Sequence, residues 1–307
     1  MNRSSAAPRA VARVLLLTLS LAGTVHAQVE LRLRKTFIEQ FKNRVTITGP
    51  FIVDKAHAQP NPGSKDGDLH IAGRSSAIKL ASVAEIMNAA SEPAAVDAIH
   101  DAEGTGIAVT MTGVWRIWAE HGGETSHRQG AALEPFTTTN PDHLFEIHPV
   151  LRVGTHSTTA TLLPIAGYTP KEAASAFERY ENKFFRIRST STTVTMTTAG
   201  LGFNYVEFLM VVTKAPFVVS DGAFVMADVL DLEGELLVRK RRMVFASDTP
   251  PFAKLTAAQV GDTLHVLGVP RVDLALVSWR VAHAADRPGV LEWRLPYEMV
   301  IVGVYNP

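Results

Sequence analysis

Two short segments hold the side chains best suited to chemistry: Asp66-Gly67-Asp68-Leu69-His70-Ile71 and Asp142-His143-Leu144-Phe145-Glu146-Ile147-His148-Pro149. In each, a carboxylate and an imidazole stand two residues apart within an apolar-alternating run. A β-strand therefore sets Asp68 beside His70 on one face, and Glu146 beside His148. Two imidazoles and two carboxylates form a ligand set for zinc or a similar divalent ion. The same groups could act as general acid and base, since histidine titrates near neutral pH. A plainer reading stands beside both, in which polar groups on strands hydrogen-bond loops and cap strand ends. Leu69, Ile71, Phe145 and Ile147 have the opposite parity and point to a core. The pattern predicts a β-barrel whose outer surface is polar and ionisable at these four positions.

The flanking elements fit that picture. Residues 44–53 alternate and then turn apolar, which predicts a strand bent at Gly49-Pro50. Gln59 to Gly67 is dense in turn residues. A strand over Asp68 to Arg74 and an apolar run near Ile78 to Met87 follow. Ser91-Glu92-Pro93 opens a helix reaching about Ala102, with proline at a tolerated first-turn position. Ile107 to Trp118 reads as a strand with a bulge at Gly113, and Leu144 to Val153 closes the unit. A helix between the third and fourth of five strands is the order of an OB barrel, with a β-sandwich as the alternative.

Residues 155–170, rich in threonine and containing proline, suit a connection between domains. Lys171 to Asn182 has helical spacing, with Ala173, Ala176, Phe177 and Tyr180 on one side. Strands are then expected over 192–198, 205–213, 217–230, 236–245, 263–269, 274–282 and 293–304, with a short helix over Lys254 to Val260. The fold class is mainly β: two small OB-like barrel units in tandem, 28–154 and 171–307, with short helices. Aligning Asp221-Gly222 on Asp66-Gly67 puts Ala223 and Val225 where the first unit has Asp68 and His70. On that alignment the polar site belongs to the first unit alone.

Other residues offer recognition. Trp115 shares the parity of core residues, whereas Trp118 shares that of Arg116 and belongs to the outer face. An exposed tryptophan beside arginine is how OB barrels stack bases or sugars; a ring covering the barrel end is the alternative. Arg74 lies near the same face, and His121 and His127 stand in a loop after Trp118. Arg239-Lys240-Arg241-Arg242 alternates across a strand and reads as a charge-protected edge.

Composition narrows the setting. Arg3, Arg9 and Arg13, an apolar stretch from Val14 to Ala22 and the small-residue end Val25-His26-Ala27 make residues 1–27 a signal peptide. The remaining chain, from Gln28, has 307 − 27 = 280 residues and no cysteine, so its core must hold the fold without disulfides. Removing three arginines leaves 27 basic and 30 acidic residues, a balance that argues against broad nucleic-acid binding. No later segment is apolar for long enough to span a bilayer, and the expected location is periplasmic or secreted.

Residues 44–153 resemble a poorly characterised group of bacterial exported proteins. These combine Asp-Gly-Asp-x-His with Glu-x-His-Pro-Val on a barrel shaped like the OB and thermonuclease-like proteins. The matching residues are Asp66 to His70 and Glu146 to Val150. A thermonuclease-type activity would require catalytic arginines and an acid cluster for calcium. Only Arg74 and Arg116 are candidates, and no full motif appears.

Two functions are therefore expected from different classes. One is an exported, non-catalytic, cofactor-free binding protein presenting Asp68, His70, Arg74, Trp118, Glu146 and His148 to a wall saccharide, a peptide or another envelope protein. The other is a divalent-metal hydrolase, with phosphodiesters as its candidate substrates, holding zinc or calcium on Asp68, His70, Glu146 and His148.

Overall fold

The computed structural model describes residues 28–123, 126–202, 204–283 and 291–305, so the segment read as a signal peptide lies outside the described residues. The N-terminal half runs β1 (Gln28–Arg34), α1 (Lys35–Phe41), β2 (Thr46–Ala56), β3 (Leu69–Arg74), β4 (Ala81–Ile86), α2 (Pro93–Ala102), β5 (Ala108–Ile117), β6 (Ser126–Arg128), β7 (Phe145–Val153) and β8 (His156–Ser157). There follow β9 (Lys171–Glu172), α3 (Ala173–Glu181), β10 (Phe184–Ser189), β11 (Thr193–Ala199), β12 (Val206–Val212), β13 (Phe217–Val219), β14 (Gly222–Leu230) and β15 (Leu236–Ala246). The chain ends with α4 (Pro250–Ala257), β16 (Thr263–Val272), α5 (Leu274–Ala282), β17 (Leu291–Arg294) and β18 (Tyr297–Val304).

Alternation drives both barrels. Leu69 and Ile71 in β3, and Phe145 and Ile147 in β7, fill the first interior as their parity requires. The first ring closes in the order β2, β3, β4, β7, β5 and back to β2. All its neighbours are antiparallel except β4 and β7, which pair in parallel from Ser82↔Phe145 to Ala84↔Ile147. The second ring has the same order, β12, β14, β15, β18 and β16, again with one parallel pair, β15 and β18. Helices α2 and α4 both fall between the third and fourth ring strands. This is the OB arrangement twice over.

A third sheet, ordered β17-β10-β11-β1-β6, draws strands from both halves of the chain. β1 pairs along its whole length with β11, from Gln28↔Ala199 to Arg34↔Thr193. The intervening residues 155–170 are also packed. Leu162 and Ile165 are buried, and the Asn88 side chain donates to the carbonyls of Thr161 at 2.9 Å and Leu163 at 3.1 Å.

Two sequence expectations fail here. Residues 274–282 form helix α5 rather than a strand. Asp273 caps it, its Oδ1 accepting from the Leu276 amide at 2.9 Å, and Leu274 and Val277 bury one side at helical spacing. The second is the edge-strand reading of Arg239 to Arg242: β15 as a whole lies between β14 and β18, although β18 pairs only with Met243 and Val244, just beyond the run. Its charges are used in ion pairs, Arg241 with Glu181 at 2.6 Å and Arg242 with Glu298 at 3.2 Å.

The two barrels meet outer face to outer face. A separate apolar cluster lies between them, formed by Val45, Met87 and Val114 from the first and by Tyr205, Phe224, Val244, Val269 and Val300 from the second half. Strands whose other face lines a barrel interior are thus buried on both sides, which is why β4 has no exposed residue.

Candidate functional site

Two buried ion pairs organise the seam between the barrels. Arg116 on β5 stands opposite Glu146 on β7 in the ladder, and Arg271 on β16 stands opposite Glu298 on β18. Arg116 Nη1 donates to Glu146 Oε2, and Arg271 Nε donates to Glu298 Oε1 at 2.7 Å. Each guanidinium also crosses to the other barrel. Arg116 Nε donates to the Pro270 carbonyl at 2.8 Å, and Arg271 Nη1 donates to the Trp115 carbonyl at 3.0 Å. Each arginine thus binds the carbonyl just before the other. Two further bonds cross the seam beside the first pair: Thr46 Oγ1 donates to Asp221 Oδ2 at 2.9 Å, and Tyr205 Oη donates to Asp68 Oδ2 at 2.6 Å. The seam has the self-complementary pattern of a two-fold dimer interface, within one chain.

The symmetry stops at the side chains that fill the rest of the seam. Taking Arg116 with Arg271 and Glu146 with Glu298 as equivalents, the ladders place Val300 at the position of His148 and Val244 at that of Glu85. They likewise place Phe224 at His70 and Gly222 at Asp68. The sequence alignment that matched Ala223 and Val225 to Asp68 and His70 is therefore out by one residue, which moves every side chain to the opposite face. Ala223 and Val225 line the second barrel's interior. One half of the seam is polar and the other apolar.

The polar half is a tight cluster. His148 Nδ1 lies 3.1 Å from Glu85 Oε2 and 3.5 Å from Glu146 Oε2. On its other side, His148 Nε2 is 2.8 Å from Tyr205 Oη and 3.8 Å from Asp68 Oδ2. Glu146 Oε1 is 3.3 Å from His143 Nε2, and His70 Nε2 stands 3.9 Å from Glu85 Oε2. Burial opposes protonation of His148, but Glu85, Glu146 and Asp68 outweigh it and raise its pKa. Burial also opposes the charged form of His70, yet Glu85, Asp66 and Asp68 lift it to about 10. Asp68 is pushed up to about 8, chiefly by burial and further by Glu85, against the pull of His148. Glu146 goes the other way: Arg116 and His143 overcome its burial and hold it well below the usual carboxylate range.

Three of the four residues expected on an exposed surface are inside the molecule. Asp68 and His148 are 0% exposed and Glu146 is 1% exposed; only His70 reaches the rim, with 15% of its side chain accessible. Their parity was right, since they face out of their own barrel. Their exposure was wrong because the second barrel covers that face. Arg74 is not part of the cluster and pairs with Asp54 at 2.8 Å. Trp118 is not an outer-face platform: it is 1% exposed, with its ring edge-on to Tyr180 at 5.4 Å between centroids. β5 ends at Ile117, so strand parity does not extend to Trp118.

Sequence reasoning missed Glu85, Tyr205, Arg271 and Glu298. Glu85 is an acid within the apolar run Ile78 to Met87, and His70↔Glu85 is a ladder pair. That lone acid was a usable signal. Among the described residues, Asp68, Glu85 and His148 form a group able to hold a metal ion, each offering one ligand atom within 4.8 Å of the others. Without a metal, the same groups can share protons and fasten the barrels together. Tyr205 is the contact from the second barrel. Tyr205→Phe would leave an Asp68 oxygen and the His148 Nε2–H buried without a partner, and is expected to cost about 1–3 kcal/mol. Urea denaturation at pH 7 measures it, and a loss under about 0.5 kcal/mol would show that the phenol is dispensable. Searches of protein-family models, curated proteins and solved structures find no match to this chain.

Proposed function

We propose that this chain is an exported, non-catalytic binding protein of the bacterial envelope, in which two OB barrels are locked into one body and recognition falls to their loops. One observation carries the reading: the groups best suited to chemistry are buried in the seam and hydrogen-bonded across it, where a polymer substrate would not reach them. A divalent-metal hydrolase would need that centre to open. The basic start and apolar stretch of residues 1–27 support an envelope setting, and the slightly acidic balance supports one without nucleic acid.

The ligand surface assigned to this function is the rim of the first barrel at the 57–68 connection. There His57 and His70 stack with ring centroids 4.8 Å apart and planes 10° apart. Asn61 Nδ2 donates to Asp66 Oδ1 at 2.9 Å beside them, and His100 Nε2 contacts the His57 carbonyl at 3.0 Å, holding the connection in place. Loops between the first and second strands of OB barrels serve recognition in this way. A flat imidazole pair beside amide and carboxylate groups suits a saccharide or a peptide.

The test is equilibrium binding of the chain from Gln28 onward to soluble wall glycan fragments and to an extended peptide library. His57→Ala should weaken retention about tenfold, the loss of one stacked ring at about 1.4 kcal/mol. Absence of binding to either class, together with turnover of a phosphodiester substrate, would replace this reading with the hydrolase.

A further inference from the structure

Among the buried polar atoms of the described residues that have no hydrogen-bond partner are Asp68 Oδ1, Glu85 Oε2 and His148 Nδ1. They belong to the three residues whose ligand atoms converge within 4.8 Å of one another. The three residues come from neighbouring parts of one ring, Asp68 just before β3, Glu85 on β4 and His148 on β7.

The hydrogen bonds on the far side of the cluster decide which histidine nitrogen is free. Tyr205 Oη donates to Asp68 Oδ2 at 2.6 Å, so its oxygen is left to accept from His148 Nε2–H at 2.8 Å. With a ring proton on Nε2, Nδ1 faces Glu85 Oε2, 3.1 Å away, and takes there either a second proton, which the raised pKa of His148 favours in the metal-free chain, or a metal ion. Two acceptors at that distance in a buried site repel unless a cation lies between them. Asp68 adds a second carboxylate whose free oxygen is equally buried.

We propose that Asp68, Glu85 and His148 bind one divalent transition-metal ion of the zinc type, enclosed in the seam, where it fixes the polar half of the first barrel against Tyr205 of the second. One imidazole nitrogen and two carboxylates are a zinc donor set. Zinc holds such ligands at about 2.0–2.2 Å, which places tetrahedral donors about 3.4 Å apart, within the range spanned by these atoms. Calcium needs six to eight oxygens, and this trio offers too few. The outer support of the site is also present: the ligating histidine donates its other N–H to Tyr205, which in turn donates to Asp68, an arrangement that fixes both ring orientation and tautomer. Glu146 is held by Arg116 and His143 and stays outside the set. The ion has a structural role and the binding function proposed above does not depend on it, so either can fail alone.

The experiment uses the chain from Gln28 onward, purified without chelator. Elemental analysis is expected to find about one zinc or similar ion per chain. EDTA-treated protein should gain about 5 °C in Tm when zinc is added at a hundred times its Kd. Cobalt added to the same protein should give the visible absorption of a tetrahedral site with nitrogen and oxygen ligands, and Glu85→Gln should abolish it or weaken cobalt affinity at least tenfold. The proposal is overturned if wild-type protein carries no stoichiometric metal, shows no Tm response to zinc or manganese and gives no cobalt spectrum. The cation between His148 and Glu85 would then be a proton. These wild-type measurements decide the matter even if Glu85→Gln does not fold.

Discussion

Arg116→Met is expected to lower the stability of the folded chain by about 3–5 kcal/mol, the cost of leaving a buried carboxylate without its partner. Arg116 is wholly buried, binds Glu146 within its own barrel and donates to the Pro270 carbonyl of the other. Methionine fills much of the same volume, so the loss would be electrostatic rather than a cavity. Glu146 would keep His143 at 3.3 Å and His148 at 3.5 Å but no permanent cation, and the Pro270 carbonyl would lose its donor. Arg116→Met combined with Glu146→Leu should recover most of the loss, because an apolar pair can replace a buried ion pair at little or no net cost. A urea-denaturation double-mutant cycle at pH 7 reads both numbers. A single variant within about 1 kcal/mol of wild type would mean that Glu146 reaches water in the folded state, and the sealed seam would be wrong.

The same comparison should hold approximately at the other end of the seam. Arg271 is buried on Glu298, lies over the Trp115 ring at 3.6 Å, and donates to the Val45 carbonyl at 3.1 Å as well as to the Trp115 carbonyl. Burial lowers its pKa, where the field of Glu146 and Glu120 raises that of Arg116. The two pairs are equivalent in topology and different in surroundings.

What could be read from the sequence follows from this arrangement. Most ring strands alternate or form apolar runs bounded by turn residues, so their positions and the place of α2 were legible from local pattern, as was the parity of Asp68, His70, Glu146 and His148. Parity says which side of a strand a residue takes, but not what lies beyond it. That Asp68 and His148 face Tyr205 depends on a contact 137 residues along the chain in one case and 57 in the other. Helix α5 was misread because Leu274 to Ala282 is apolar nearly throughout and fits either period; the Asp273 cap was the deciding signal. Glu298 sits in a run that reads as a plain strand and Arg271 just beyond another, and only their ladder pairing makes them a site.

The sharpest consequence comes from the apolar half of the seam, which shows what the polar half could be replaced by. His148→Val alone would leave Glu85 and Asp68 buried with no imidazolium or metal between them, and is expected to cost about 3–5 kcal/mol. Giving the first barrel the residues of the second should reverse that cost. Glu85→Val and His148→Val copy Val244 and Val300, Asp68→Ala approximates Gly222, and Tyr205→Phe removes the phenol left without an acceptor. The fourfold variant is expected to lie within about 1 kcal/mol of wild type, or above it, since apolar substitution of a whole buried polar cluster is commonly neutral or stabilising. Urea denaturation with EDTA present removes any contribution from bound metal, so the comparison reads the side chains alone. The fourfold variant should also take up no zinc. If it is instead as unstable as His148→Val, the two halves of the seam are not interchangeable, and the polar cluster supports the fold through packing that valine cannot reproduce.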